Sequence, residues 1–178
     1  MKTAETKMVE RALAKKFARH IAFEVDLSEA CLHTRLKSSD PNSVEDVGIA
    51  DAIAVDNLGN LTCIEIKTSV KDFRDSKKLS FVGDKNAFAM TEELYRKVKP
   101  EIPQGIGVLT VDAAGCVREP RKPKWVEPRY GRQFILAAMV VAMANKTSTE
   151  NTASAVERGK PFKPPLGGRR SWKLRNAT

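Results

Sequence analysis

Asp51, Glu65 and Lys67 are the residues whose types and spacing can do chemistry together. Asp51 lies in the apolar stretch IADAIAV at 49–55, and Glu65 and Lys67 lie in LTCIEIK at 61–67. Between them, Asp56-Asn57-Leu58-Gly59-Asn60 is turn chemistry, with Gly59 or Asn60 free to take a positive φ. In an antiparallel pair, residues equidistant from the turn face each other, so a hairpin turning about Leu58 sets Asp51 opposite Glu65. The strand period puts Lys67 on the face of Glu65 and sends Ile64 and Ile66 to the other. Two neighbouring carboxylates repel and desolvate poorly unless something positive sits beside them. A hard divalent cation meets that need, and Mg²⁺ typically takes one or two carboxylates plus water and phosphate oxygens. A lysine next to it can orient or deprotonate an attacking water, or stabilise charge on a phosphate. Glu-x-Lys on a strand is also a common ion pair. The asp at matching register, the apolar setting and the helix that follows at once favour the chemical reading.

The elements that must position these groups follow from pattern. Residues 5–20 read as a helix, with Met8, Leu13, Phe17 and Ile21 at spacings of four or five. Residues 21–27 alternate and read as a strand. Residues 28–47 are polar and carry Ser38-Ser39-Asp40-Pro41-Asn42-Ser43, a loop signal. Ser69-Val70-Lys71-Asp72 resembles a capping box opening a helix of two or three turns from about Asp72. Residues 85–90 read as a strand, and Thr91 as the cap of a helix over 92–98 that Pro100 stops. Residues 105–111 are expected to be the last strand. Residues 118–132 are basic and Pro-rich, and 133–146 form an apolar helix. The resulting order, α-β-β-β-α-β-α-β, implies an α/β fold with a mixed sheet flanked by helices. The expected division is a domain at 1–117, a basic linker and apolar helix at 118–146, and a basic, disordered tail at 147–178.

The stretch Ala50-Asp51-Ala52, then Ile64-Glu65-Ile66-Lys67-Thr68-Ser69-Val70-Lys71-Asp72-Phe73, resembles the PD-(D/E)XK nuclease superfamily. Within it the likeness is to MmcB-like DNA repair proteins and related phage and mobile-element proteins. It continues through Phe81-Val82-Gly83-Asp84, Phe88-Ala89-Met90, Glu93-Leu94-Tyr95 and Gly105-Ile106-Gly107-Val108, covering about residues 20–124. The resemblance implies a restriction-endonuclease-like fold with core α-β-β-β-α-β. It implies Asp51 and Glu65 as ligands of Mg²⁺ (or Mn²⁺) and Lys67 as the catalytic lysine. Many members add a Glu from the first helix or first strand. Glu10 and Glu24 are the candidates here, and the sequence does not choose between them. Ala50 stands where a Pro often precedes the Asp, and the 28–47 loop is long for the group. Many enzymes of this fold work as dimers, so a homodimer is one expectation.

Composition bounds the rest. The net charge of +9 is uneven: residues 118–178 hold 14 Lys+Arg against 4 Asp+Glu, a net of +10, leaving −1 for residues 1–117. A basic extension on a near-neutral domain suits a polyanion such as DNA. Lys71, Arg74, Lys77 and Lys78 directly follow the hairpin and are expected to hold DNA phosphates, unless they simply face solvent. Trp125, Tyr130 and Trp172 lie among basic residues and could stack on bases, or do nothing of the kind. His20 and His33 sit in no catalytic pattern. Three cysteines without a CxxC pair argue against a disulfide framework or structural zinc. The charged N-terminus lacks a signal-peptide apolar core, and the run 134–144 is far short of the ~20 residues a membrane helix needs, so a cytoplasmic protein is expected. These readings converge on a metal-dependent DNA nuclease in repair or mobile-element DNA processing. The alternative is a non-catalytic DNA-binding module on the same fold, with a protein-docking role third.

Overall fold

A computed structural model describes residues 2–18, 20–28, 48–75, 79–128 and 130–157. Residues 29–47 of the expected loop at 28–47, Lys77, Lys78 and the segment from 158 onward lie outside the described residues. The chain divides into two compact units, Met1–Ala144 and Asn145–Thr178.

The first unit is built on one six-stranded mixed sheet whose strands lie in chain order. Helix α1 (Ala4–Phe17) leads into β1 (Ile21–Asp26), β2 (Ile49–Val55) and β3 (Leu61–Ile66), which form an antiparallel meander. The hairpin forms where the turn residues require it. Asp56 Oδ1 accepts the backbone N–H groups of Leu58 and Asn60, and Gly59 takes φ +79. A short helix α2 (Val70–Arg74) then carries the chain to β4 (Lys85–Thr91), which pairs parallel with β3. Helix α3 (Glu92–Val98) starts at its expected cap, where Thr91 accepts from Leu94 N, and returns the chain to a second parallel neighbour, β5 (Gly107–Val111).

Three expectations are corrected here. Helix α2 begins at Val70 and is five residues long, shorter than two or three turns. Strand β5 is not the last: β6 (Val117–Arg121) adds antiparallel to it, inside the segment expected to be a linker. Its exposed charges and Pro120 hide it in sequence, yet an edge strand tolerates a proline because one side of its backbone needs no ladder partner. The final helix α4 (Arg132–Glu157) runs 26 residues, through 147–157 that polar composition marked as disordered.

Helices cover both faces of the sheet. On one, Val9, Ala12 and Leu13 of α1 pack on Ala52, Ala54, Ile64, Ile66 and Leu109. Fully burying a side chain such as Leu13 contributes about 1.5–3 kcal/mol. On the other, Ile135 and Met139 of α4 pack on Ile53, Leu61 and Cys63, while α3 packs on Phe88, Met90 and Val108. Residues 118–144 are thus part of the first unit. An ion pair between a half-exposed arginine and a buried acid fastens α4: Arg132 donates through Nε and Nη2 to Asp84 Oδ1 (3.0 and 2.7 Å), while Asp84 Oδ2 accepts from Leu61 N. Beside it, Gly83 lies so close to β3 that a Cβ there would stand 2.7 Å from Cys63 N and Leu61 O.

Candidate functional site

The hairpin register is the one its turn demands. Ala52 pairs with Ile64 and Val55 with Leu61, so Asp51 and Glu65 come next as opposite residues. On the far side of β2, Phe23 pairs with Ala52 and Val25 with Ala50, making Glu24 the residue opposite Asp51. One row across β1, β2 and β3 therefore reads Glu24, Asp51, Glu65, and ends at Phe88 of β4. At this level β1 is strained. Glu24 takes φ +52, a left-handed value that costs a non-glycine residue about 1–3 kcal/mol. Its effect is visible in the packing. Ile21 and Phe23 face the α1 side, whereas Val25 and Leu27 beyond the kink face the α4 side.

Glu65 is 5% exposed and Lys67 7% exposed, so both charges lie where water screens them little. Lys67 Nζ stands 3.8 Å from Glu65 Oε2 and 4.0 Å from Asp72 Oδ1. Glu65 Oε1 accepts from Ser80 N at 3.2 Å, and Asp51 Oδ2 accepts from Ile66 N at 2.8 Å. Asp72 also accepts from Thr68 N, and Asp72 N donates to Ser69 Oγ, so the start of α2 fixes the backbone just after Lys67. Burial is the main force on the two acids. It pushes Glu65 up to about 7, helped by the neighbouring Asp51 charge and a hydrogen bond with Asp51, against the pull of Lys67. Burial raises Asp51 as well, opposed by the Ile66 N–H and by the charge of Lys67. Near neutral pH the Glu65 carboxyl is thus partly protonated, a proton that a bound cation would displace.

Glu10 and Glu24, the two alternatives for a third acid, are brought together by a residue the sequence did not single out. Lys2 Nζ lies 2.5 Å from Glu10 Oε1 and 3.0 Å from Glu24 Oε1. Its charge reaches Asp51, whose pKa it lowers. Ser80 is the second residue that sequence reasoning missed. Besides holding Glu65, its hydroxyl bonds Ile49 O and its carbonyl accepts from the buried Cys63 thiol, which burial pushes up to about 12. Neither Lys2 nor Ser80 carries a pattern that would betray these long-range contacts.

Among the described residues, no three His, Cys, Asp or Glu side chains converge closely enough to hold a metal ion. The donor set still suits a hard divalent ion, because Mg²⁺ accepts two carboxylates and completes its shell with water and phosphate. Of the expected DNA-binding residues, Lys71 is exposed, while Arg74 forks onto Glu101 through Nε and Nη2 (2.9 and 2.7 Å). Trp125 is half-exposed and lies 5.6 Å from the Arg132 guanidinium.

The mixed sheet with helices on both faces and the acidic hairpin at its centre define a restriction-endonuclease-like fold. The chain belongs to the MmcB-like DNA repair protein family, which matches residues 42–153 and ties it to a DNA-related role. Among solved structures it is similar to the SPO1766 protein of unknown function from Silicibacter pomeroyi, with a TM-score of 0.57 and 15% identity over 92% of this chain and 98% of that one. That likeness concerns the fold alone. A comparison with curated proteins gave no match. Among the described residues, no helix is long and apolar enough to cross a membrane.

Proposed function

We propose that this chain is a divalent-metal-dependent DNA nuclease domain that hydrolyses a phosphodiester in DNA repair or mobile-element DNA processing. The observation that carries the proposal is the part-buried Asp51 opposite the buried Glu65, with the buried Lys67 ammonium 3.8 Å from Glu65. Two neighbouring acids and a lysine held this far from water cost stability, a cost that a bound cation would offset. Asp51 and Glu65 would hold Mg²⁺ or Mn²⁺, which when bound supplies charge stabilisation at the phosphate and lowers the pKa of its water. Lys67, held between Glu65 and Asp72, would orient the attacking water or offset charge on the phosphate. Lys71 and the basic residues beyond 117 are the natural phosphate contacts.

The test is a cleavage screen over single-stranded, duplex, flapped and branched DNA with Mg²⁺ and Mn²⁺, beside Lys67→Ala. Metal-dependent cleavage that Lys67→Ala removes supports the nuclease. DNA binding without cleavage of any substrate, unaffected by Asp51→Ala, would instead identify a non-catalytic module on the same fold. Truncation experiments must spare α4, because Ile135 and Met139 belong to the core.

A further inference from the structure

We infer that Lys2 is an intramolecular competitor for the cation site, an ammonium that already holds Glu10 and Glu24, the two further acids on which a divalent ion beside Asp51 could draw. The inference deepens the metal-dependent reading above and rests on it. Lys2 immediately precedes Thr3, whose side chain caps α1 by accepting from Thr6 N, and the capped helix fixes where the lysine starts. From there Nζ bridges Glu10 on α1 and Glu24 on β1, at 2.5 and 3.0 Å. Glu24 is the register neighbour of Asp51, and Asp51 is the register neighbour of Glu65. The ammonium is therefore joined directly to one end of the acidic row and electrostatically to its middle.

The arrangement is more than a surface ion pair. An exposed pair stabilises little, yet here one lysine, with a third of its side chain exposed, joins two acids from different elements, the largely enclosed Glu10 and the exposed Glu24. One of those acids is held at a strained φ of +52. Burial alone would lower the pKa of Lys2, but hydrogen bonds and charge from Glu10 and Glu24 raise it, so it stays charged at neutral pH. A cation entering beside Asp51 meets that positive charge. It gains Glu10 or Glu24 as a ligand only if Lys2 leaves. Lys2 thereby sets the threshold concentration of divalent ion at which the site fills.

The test is calorimetric titration of Mn²⁺ into the full chain, comparing wild type with Lys2→Met, Lys2→Gln and Lys2→Arg, each checked for an unchanged circular dichroism spectrum. Removing a unit charge this close to the acids should tighten Mn²⁺ binding on the order of tenfold in Lys2→Met and Lys2→Gln, while Lys2→Arg stays near wild type. Affinity that is equal or weaker in both neutral variants overturns the inference. If wild type then still binds Mn²⁺ and Asp51→Asn abolishes the binding, the metal site itself stands. Absence of Mn²⁺ binding in every variant overturns both the inference and the metal-dependent reading. Binding seen only in the neutral variants supports both.

Discussion

Raising the pH of the chelator-treated protein should cost it stability at Glu65. In the folded chain this carboxyl has a pKa of about 7, against 4.5 for the free group, chiefly because burial disfavours its charge. Below 4.5 the group is neutral in both states and carries no penalty. As the pH rises, the unfolded chain releases the proton first and folding must oppose that release. The loss is complete once the pH passes the folded value. A rise from 4.5 to about 7 corresponds to about 3 kcal/mol. Roughly 2 kcal/mol of it falls between about pH 5.5 and about pH 8. Asp51, also raised by burial, acts in the same direction. The lowered carboxyls Asp26, Asp56, Glu93 and Glu101 act oppositely, but they finish titrating at lower pH, so the window isolates the site. The assay is urea unfolding at both pH values in chelator, for wild type and Glu65→Gln. The stability of Glu65→Gln relative to wild type should rise by about 2 kcal/mol across the window, and Mn²⁺ should restore wild-type stability at the upper pH. A difference that is flat, or that shrinks as the pH rises, would refute the reasoning.

Other perturbations have defined outcomes. Asp84→Ala leaves the buried Leu61 N–H without its acceptor and frees a half-exposed Arg132 to solvent, and should destabilise by about 1–3 kcal/mol in urea unfolding. Gly83→Ala forces a Cβ against β3 backbone at 2.7 Å and should lower the unfolding midpoint severely, whereas Gly59→Asn, in an open turn at φ +79, should change it little. Glu24→Gly relieves a left-handed residue and should stabilise by about 1 kcal/mol, a gain that calorimetry can read. Truncation after Glu157 removes 7 Lys+Arg and no acid, and should weaken DNA binding and flatten its salt dependence while leaving the unfolding midpoint in place.

The centre of the fold is legible in the sequence because its signals are local. Asp56 through Asn60 dictate one turn, the turn dictates one register, and the register fixes Asp51 against Glu65. Thr91 and Pro100 bracket α3 for similarly local reasons of capping and hydrogen-bond loss. What stays hidden depends on partners distant in sequence. Strand β6 forms because β5 offers it an edge, despite Pro120 and its charges. Helix α4 is anchored by Asp84, 48 positions away from Arg132. The choice between Glu10 and Glu24 was unreadable because Lys2 joins both, and nothing in a charged N-terminal segment announces which acids its lysine will meet. The left-handed turn at Glu24 is equally silent, since a glutamate gives no sign of positive φ.

Under the proposed function, Asp51 and Glu65 would hold a divalent ion on which DNA cleavage, assisted by Lys67, depends. The most direct test is single-turnover DNA cleavage in Mg²⁺ and Mn²⁺ by wild type, Asp51→Asn and Lys67→Ala, with each variant shown to be folded. The account predicts cleavage by wild type that vanishes in chelator and falls on the order of a hundredfold or more in each variant. Cleavage that survives chelation or both substitutions, or DNA binding with no cleavage by wild type on any substrate, would contradict it.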